Sequence, residues 1–177
     1  MGMALFYGGL VQLLAGMWEF KTGNTFGAVA FSSYGGFWMG FSALFMSCFD
    51  FLAGYGDDVT QLNNDLGVFL LAWSIFSLLM TIASHRTTAV LIFLFFMVHL
   101  TFLMLSIGKF LQGNFHLQQA GGAFGLIAAF TAWYAAFAGL LTSKNSLFQL
   151  PVGDMDPIYR SWGWLAPLKE EKVYGKL

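Results

Sequence analysis

Charge is scarce in this sequence: only 10% of its 177 residues are Asp, Glu, Lys or Arg, against roughly 25% in a soluble domain. Disorder is excluded for most of the chain, since disorder needs low hydrophobicity and high charge. Here 58% of the residues are hydrophobic and the mean hydropathy is +0.68. Eight Lys and Arg against nine Asp and Glu leave a net charge of −1, which excludes a basic nucleic-acid surface. The lone Cys48 excludes a disulfide framework and a cysteine-based zinc site. His85, His99 and His116 are too far apart for the His-x-His spacings of a metal site. There is no P-loop, no GxSxG and no HExxH. The expectation is a protein that is not an enzyme and has neither cofactor nor resident metal.

What the chain does have is long uncharged stretches. A helix needs about 20 mostly apolar residues to cross a hydrocarbon core of roughly 30 Å. The placement of charge predicts five such spans, at about 1–18, 24–49, 66–83, 88–108 and 120–141. Backbone groups in lipid must be satisfied internally, so the spans are read as helices. The short alternating segments of a barrel are missing. The fold class is all-α, a polytopic helical membrane protein with a transmembrane domain over 1–149 and a tail over 150–177. The stretch Pro151 to Leu177 holds eight of the seventeen charged residues.

The first span lacks a basic n-region, and Glu19 stands where a small-residue cleavage site belongs, so it reads as a membrane helix rather than a signal peptide. With five spans, Lys21, Arg86 and the tail share one side, which collects seven of the eight Lys and Arg. The other side has Lys109 alone and a long loop with Asp57, Asp58 and Asp65. The positive-inside rule makes the tail cytoplasmic and Met1 external. An external start directly inside a span predicts one further helix upstream.

Polar groups inside spans are costly and are the default functional candidates. The second span holds Thr25, Ser32, Ser33 and Tyr34 among Gly27, Gly35, Gly36 and Gly40. Tyr34 is read as pore-lining, because a mid-membrane phenol needs a hydrogen-bond partner or a wet cavity. The glycines read equally as packing positions, with Gly36/Gly40 and Gly23/Gly27 as GxxxG pairs. In the first span Tyr7, Gly8, Gly9 and Gln12 form a second small and polar cluster, with Gly9, Gln12 and Gly16 on one face. Glu19 is either an interfacial carboxylate loosely paired with Lys21 or a mouth residue that screens charged solutes; Trp18 beside it reads as a belt aromatic. His99, at mid-depth in the fourth span and without a carboxylate in any span, reads as a hydrogen-bonded packing residue more readily than as a proton relay. No Lys or Arg lies within the spans. An anion crossing here would be held by neutral donors or would cross protonated, which suits passage rather than storage.

The run Phe6-Tyr7-Gly8-Gly9-Leu10-Val11-Gln12-Leu13-Leu14-Ala15-Gly16-Met17-Trp18-Glu19, then Gly23-Asn24-Thr25-Phe26-Gly27 and Ser33-Tyr34-Gly35-Gly36-Phe37-Trp38, resembles the acetate uptake transporter family. This family comprises bacterial succinate-acetate permeases and fungal acetate and ammonia-export proteins. Similarity continues through Val90-Leu91, Phe95-Phe96 and Ile107-Gly108 to Leu150-Pro151-Val152-Gly153. The resemblance implies six helices with both termini cytoplasmic, assembly as a homo-oligomer (a hexamer), and one pore per protomer for acetate and other small carboxylates. The family's Asn-Pro-Ala-Pro-Leu-Gly motif in its first helix has no counterpart here, which agrees with the expected upstream helix. The family's constriction joins an aromatic of that first helix to a Tyr and an aliphatic residue; the last two match Tyr34 and Val98.

The function expected is a plasma-membrane transporter or channel for acetate and related monocarboxylates, with or without proton coupling. Tyr34 and Val98 would form the constriction, Gln12, Asn24, Thr25 and Ser33 the polar lining, and Glu19 the mouth. A hydrophobic constriction gates by dewetting and rejects strongly hydrated ions. The partners expected are small carboxylates, the lipid bilayer and further copies of the chain, with no nucleic acid. The alternative is a non-transporting membrane interaction or regulatory protein built from the same helices, or an inactive fragment of the transporter.

Overall fold

The computed structural model describes residues 1–155, so most of the expected tail, 156–177, lies outside the described residues. Five α-helices occur among the described residues: α1 Gln12–Thr22, α2 Thr25–Ala43, α3 Val59–Ala83, α4 Ala89–Phe110 and α5 Phe115–Leu140. A π-helical stretch, Ala4–Val11, runs directly into α1. The one strand-like feature among the described residues is an isolated bridge between Thr88 and Asp154.

The five α-helices differ in extent from the expected membrane spans. α3 begins at Val59, seven residues before the expected span, because Asp58 Oδ1 accepts from Gln61 N at 2.9 Å and caps it. α5 begins at Phe115 rather than 120, capped by Asn114 through Leu117 N at 3.2 Å. α2 stops at Ala43, short of the expected Phe49, and the chain continues in turns through Asp50, whose φ is 50°. Three stretches are long and apolar enough to cross a membrane by length and composition: Val59–Arg86, Ala89–Phe110 and Phe115–Leu140. α2 carries Thr25, three serines, Tyr34 and four glycines within 19 residues, which lowers its hydropathy.

The chain forms two compact units, Met1–Leu62 and Asn63–Leu177. In the first, the π-helical stretch and α1 pack antiparallel against α2 through glycines. A Cβ at Gly35 would lie 2.7 Å from Leu13 N, and one at Gly16 would lie 2.7 Å from Ser32 N. Gly8 and Gly9 face the side chains of Trp38 and Met39. Small residues let helix backbones approach, which is the usual basis of helix association in lipid. The Gly36 and Gly40 pair singled out by spacing does not take part, with open space around both.

In the second unit α4 packs against α5, with Gly121 under Leu105 and Gly108 under Leu117. α3 buries a stripe of Asn63, Leu66, Gly67, Leu70, Ser74, Ser77 and Met80 at helical spacing. After α5, the segment 151–155 returns to the start of α4. Ala89 N donates to Gly153 O at 2.7 Å, and Met155 N donates to Thr87 O at 3.1 Å. The segment thus supplies a carbonyl to an N–H that the helix itself leaves unpaired. Tyr134 Oη fixes the same segment by donating to Pro151 O at 2.7 Å.

Candidate functional site

Tyr34 is buried on α2 with Gly27, Ala30 and Phe37, on a face about a quarter-turn away from the face that meets α1. Ser33 and Gln12 are half-buried, whereas Asn24 and Thr25 are exposed. Val98, half-buried on α4, belongs to the second unit.

Glu19, expected at the mouth, and Asn24, expected in the polar lining, meet at the corner between α1 and α2. Gly23, at the C-terminal end of α1, has φ +82° and donates to Glu19 O and Phe20 O. A left-handed residue there ends the helix at little cost only if it is Gly. Asn24 then caps α2, its Oδ1 accepting from Gly27 N at 3.0 Å. Its Nδ2 donates to Glu19 Oε2 at 2.6 Å. A Cβ at Gly27 would lie 3.1 Å from Glu19 Oε2. The Gly-Asn-Thr-Phe-Gly block is therefore the geometry of the α1–α2 corner. Lys21, expected as Glu19's loose partner, instead has Nζ 5.2 Å from the centroid of the Trp18 ring, a cation–π distance.

Among the described residues of the second unit, five buried hydrogen bonders lie outside the sequence reading: Asn63, Ser74, Ser77, Ser84 and Ser106. Ser106 Oγ, fully buried, donates to Gly67 O at 2.8 Å and ties α4 to α3. Ser77 Oγ is satisfied within α3 by Trp73 O at 2.8 Å. Ser74, 1% exposed, meets His99: its Oγ is 3.0 Å from His99 Nδ1 and 3.4 Å from His99 O, while Nδ1 is 2.9 Å from Ser74 O. The serine spacing on the buried stripe of α3 was the available signal. An apolar groove of about 450 Å³ between α4 and α5, lined by Ala89, Val90, Phe93, Phe130, Thr131 and Tyr134, contains none of the expected site residues. Among the described residues no group of His, Cys, Asp and Glu could hold a metal ion.

Long apolar helices with polar side chains on their buried faces define a multi-pass helical membrane protein. Residues 1–157 match the family described as the GPR1/FUN34/yaaH family, and the chain belongs to that family. It is 48% identical over 145 residues to accumulation of dyads protein 2 of Saccharomyces cerevisiae, covering 82% of this chain and 51% of that protein. It is 45% identical over 159 residues to acetate permease A of Emericella nidulans, covering 85% and 53%. The chain thus spans about half the length of these curated relatives. Among solved structures, the bacterial acetate channel SatP superposes with a TM-score of 0.76 at 36% identity, covering 86% of this chain and 81% of that one.

Proposed function

We propose that this chain forms part of a membrane transporter or channel for acetate and related small monocarboxylates. The observation that carries the reading is the likeness to the bacterial acetate channel, which extends over most of both chains at 36% identity. The helices within each unit agree with it: they are joined through glycines and buried serines, and no Lys or Arg lies in 66–83, 88–108 or 120–141 to trap an anion. Tyr34 and Val98 narrow the pathway in this reading, and Gln12, Thr25 and Ser33 offer neutral donors along it. Glu19 and its partner Asn24 stand at the mouth. The active form is a homo-oligomer in the plasma membrane, with the tail from residue 150 on the cytoplasmic side, and no step of it is enzymatic.

The test is uptake of labelled acetate into liposomes containing the purified full-length protein, competed by propionate. An unrelated membrane protein reconstituted at equal density is the reference. Uptake above that reference, reduced by propionate, is expected. Uptake equal to the reference at every acetate concentration would overturn the reading.

A further inference from the structure

α4 and α5 meet closely at one end, where Gly108 and Gly121 lie under Leu117 and Leu105. Toward the other end lies the groove of about 450 Å³, lined by Ala89, Val90 and Phe93 of α4 and by Phe130, Thr131 and Tyr134 of α5. The two hydroxyls of that lining are already engaged. Thr131 Oγ1 donates to Ile127 O at 2.8 Å, and Tyr134 Oη donates to Pro151 O at 2.7 Å. What the groove offers a guest is hydrocarbon. Phe93 and Phe130 are exposed, and both helices are long and apolar enough to cross a membrane. A recess on such a surface faces acyl chains, and water that entered it would find no polar partners.

The end of the groove carries charge. Arg86, with His85 beside it, closes the turn before α4, three residues ahead of Ala89. Lys144 lies four residues past the end of α5, in a turn that Asn145 ties to the helix by donating to Leu140 O at 2.9 Å. Asp154, bridged to Thr88, stands at the same end, so two cations face one carboxylate among the described residues there. Arg86 already has a partner within the fold, but a guanidinium with five donors serves more than one. Trp133, beside Tyr134, is exposed, and such aromatics mark the headgroup level of a bilayer. Ala89 to Phe93 is four residues, roughly 6 Å along the helix, so the groove takes the upper methylenes of one acyl chain.

We propose that this groove binds one anionic phospholipid, with an acyl chain between α4 and α5 and the headgroup phosphate between Arg86 and Lys144. Basic pockets between membrane-spanning helices are suited to such headgroups. The two cations select the anionic headgroup, and the recess holds the lipid in place; a basic rim without a recess would give only the first. The lipid fills the space where α4 and α5 part, beside the segment that supplies Gly153 O to Ala89 N.

The experiment replaces Phe130, which is exposed, by photoreactive benzoylphenylalanine in the full-length protein. The protein is reconstituted in vesicles of equal parts phosphatidylcholine and phosphatidylserine with the same acyl chains, irradiated, and its adducts are weighed. The expected adducts are single phospholipids in which phosphatidylserine outnumbers phosphatidylcholine by about fivefold, the effect of one net basic residue at the headgroups. Lys144→Gln and Arg86→Gln should each bring that ratio down toward one. Val90→Phe fills the groove and should do the same with both cations in place. Monodisperse elution in detergent shows that each variant is folded; should Arg86→Gln fail that check, Lys144→Gln, at an exposed turn residue, decides alone. Equal adducts without these substitutions would overturn the proposal, as would a full preference that survives in Lys144→Gln or in Val90→Phe. A cross-link to a second copy, or to another part of the same chain, in place of lipid would give the groove a different occupant and overturn it as well.

Discussion

Asn24 Nδ2 donates to Glu19 Oε2 at 2.6 Å across the α1–α2 corner, while the other amide atom of Asn24 caps Gly27 N at 3.0 Å. One side chain thus holds a residue in the last turn of α1 and starts α2. The carboxylate rests over the bare Cα of Gly27, so three positions of one sequence block depend on each other. This explains why Glu19 and Asn24 stand together at one end of the first two helices. Neither polar group is idle there, and the pair holds the corner at a set angle.

The corner makes a prediction that separates capping from charge. Asn24→Ala loses both bonds and should lower stability by about 1–2 kcal/mol, the range for a lost N-cap. Asn24→Asp preserves the cap acceptor but places two carboxylates in contact, so it should be no better than Ala at neutral pH. Glu19→Gln keeps an acceptor for Asn24 and should be milder than either. Thermal unfolding in detergent, ranked across the three variants, checks the order; an Asp variant as stable as wild type would show that Glu19 and Asn24 are not in contact.

Glycines of the first unit should divide into two groups. Gly9 and Gly35 have no room for a methyl group: at Gly9 it would meet Met39, and at Gly35 the backbone of Leu13. Ala at either should cost about 1–3 kcal/mol, the usual penalty of overpacking. Gly36 and Gly40 face open space, and Ala there should leave the stability of the isolated protomer unchanged. Denaturant melts of the four single variants decide the matter.

That division also shows what could be read in the sequence and what could not. Charge placement located all five helices, because burying a charge in lipid is costly enough to empty the spans of it. The helices run past the expected spans where polar caps extend them, as Asp58 does for α3 and Asn114 for α5. The GxxxG spacing of Gly36 and Gly40 says that two small residues share a face, and nothing about whether that face meets a helix. Ser74 and His99 are 25 residues apart on different helices. Their pairing depends on the register of α3 against α4, which no local pattern encodes. Tyr34 is read from the sequence as pore-lining, and the structure places it on a buried face of α2. The charged tail lies mostly outside the described residues.

The segment after α5 should come loose when its glycine is replaced. Gly153 has φ +67°, and a Cβ there would lie 2.9 Å from that of Ala89. Gly153→Val therefore combines a disfavoured backbone conformation with a collision against the first residue of α4. Tyr134→Phe removes only the 2.7 Å bond to Pro151 O and should have the smaller effect, about 0.5–1.5 kcal/mol. Hydrogen exchange at Ala89 N, which is bonded to Gly153 O, should speed up strongly in the valine variant and modestly in the phenylalanine one. Unchanged protection in both would mean that α4 starts without help from this segment.

Tyr34 bears the most direct prediction about passage. If its ring narrows the pathway, size selectivity belongs to the ring and affinity to the hydroxyl, so the two can be separated by substitution. Tyr34→Phe keeps the ring and should leave the ranking of formate, acetate, propionate and butyrate unchanged, whatever happens to KM. Tyr34→Ala removes the bulk and should raise butyrate flux relative to acetate severalfold. Truncating a buried aromatic also costs about 3–5 kcal/mol, so the flux is compared per assembled protein, as a ratio between acids within one preparation. A uniform loss of all four fluxes would point to damaged folding, since a cavity far from the pathway has no reason to favour one acid. A shifted ratio can arise only where the acids themselves pass. An alanine variant with the wild-type ratio from formate through butyrate would remove Tyr34 from the constriction.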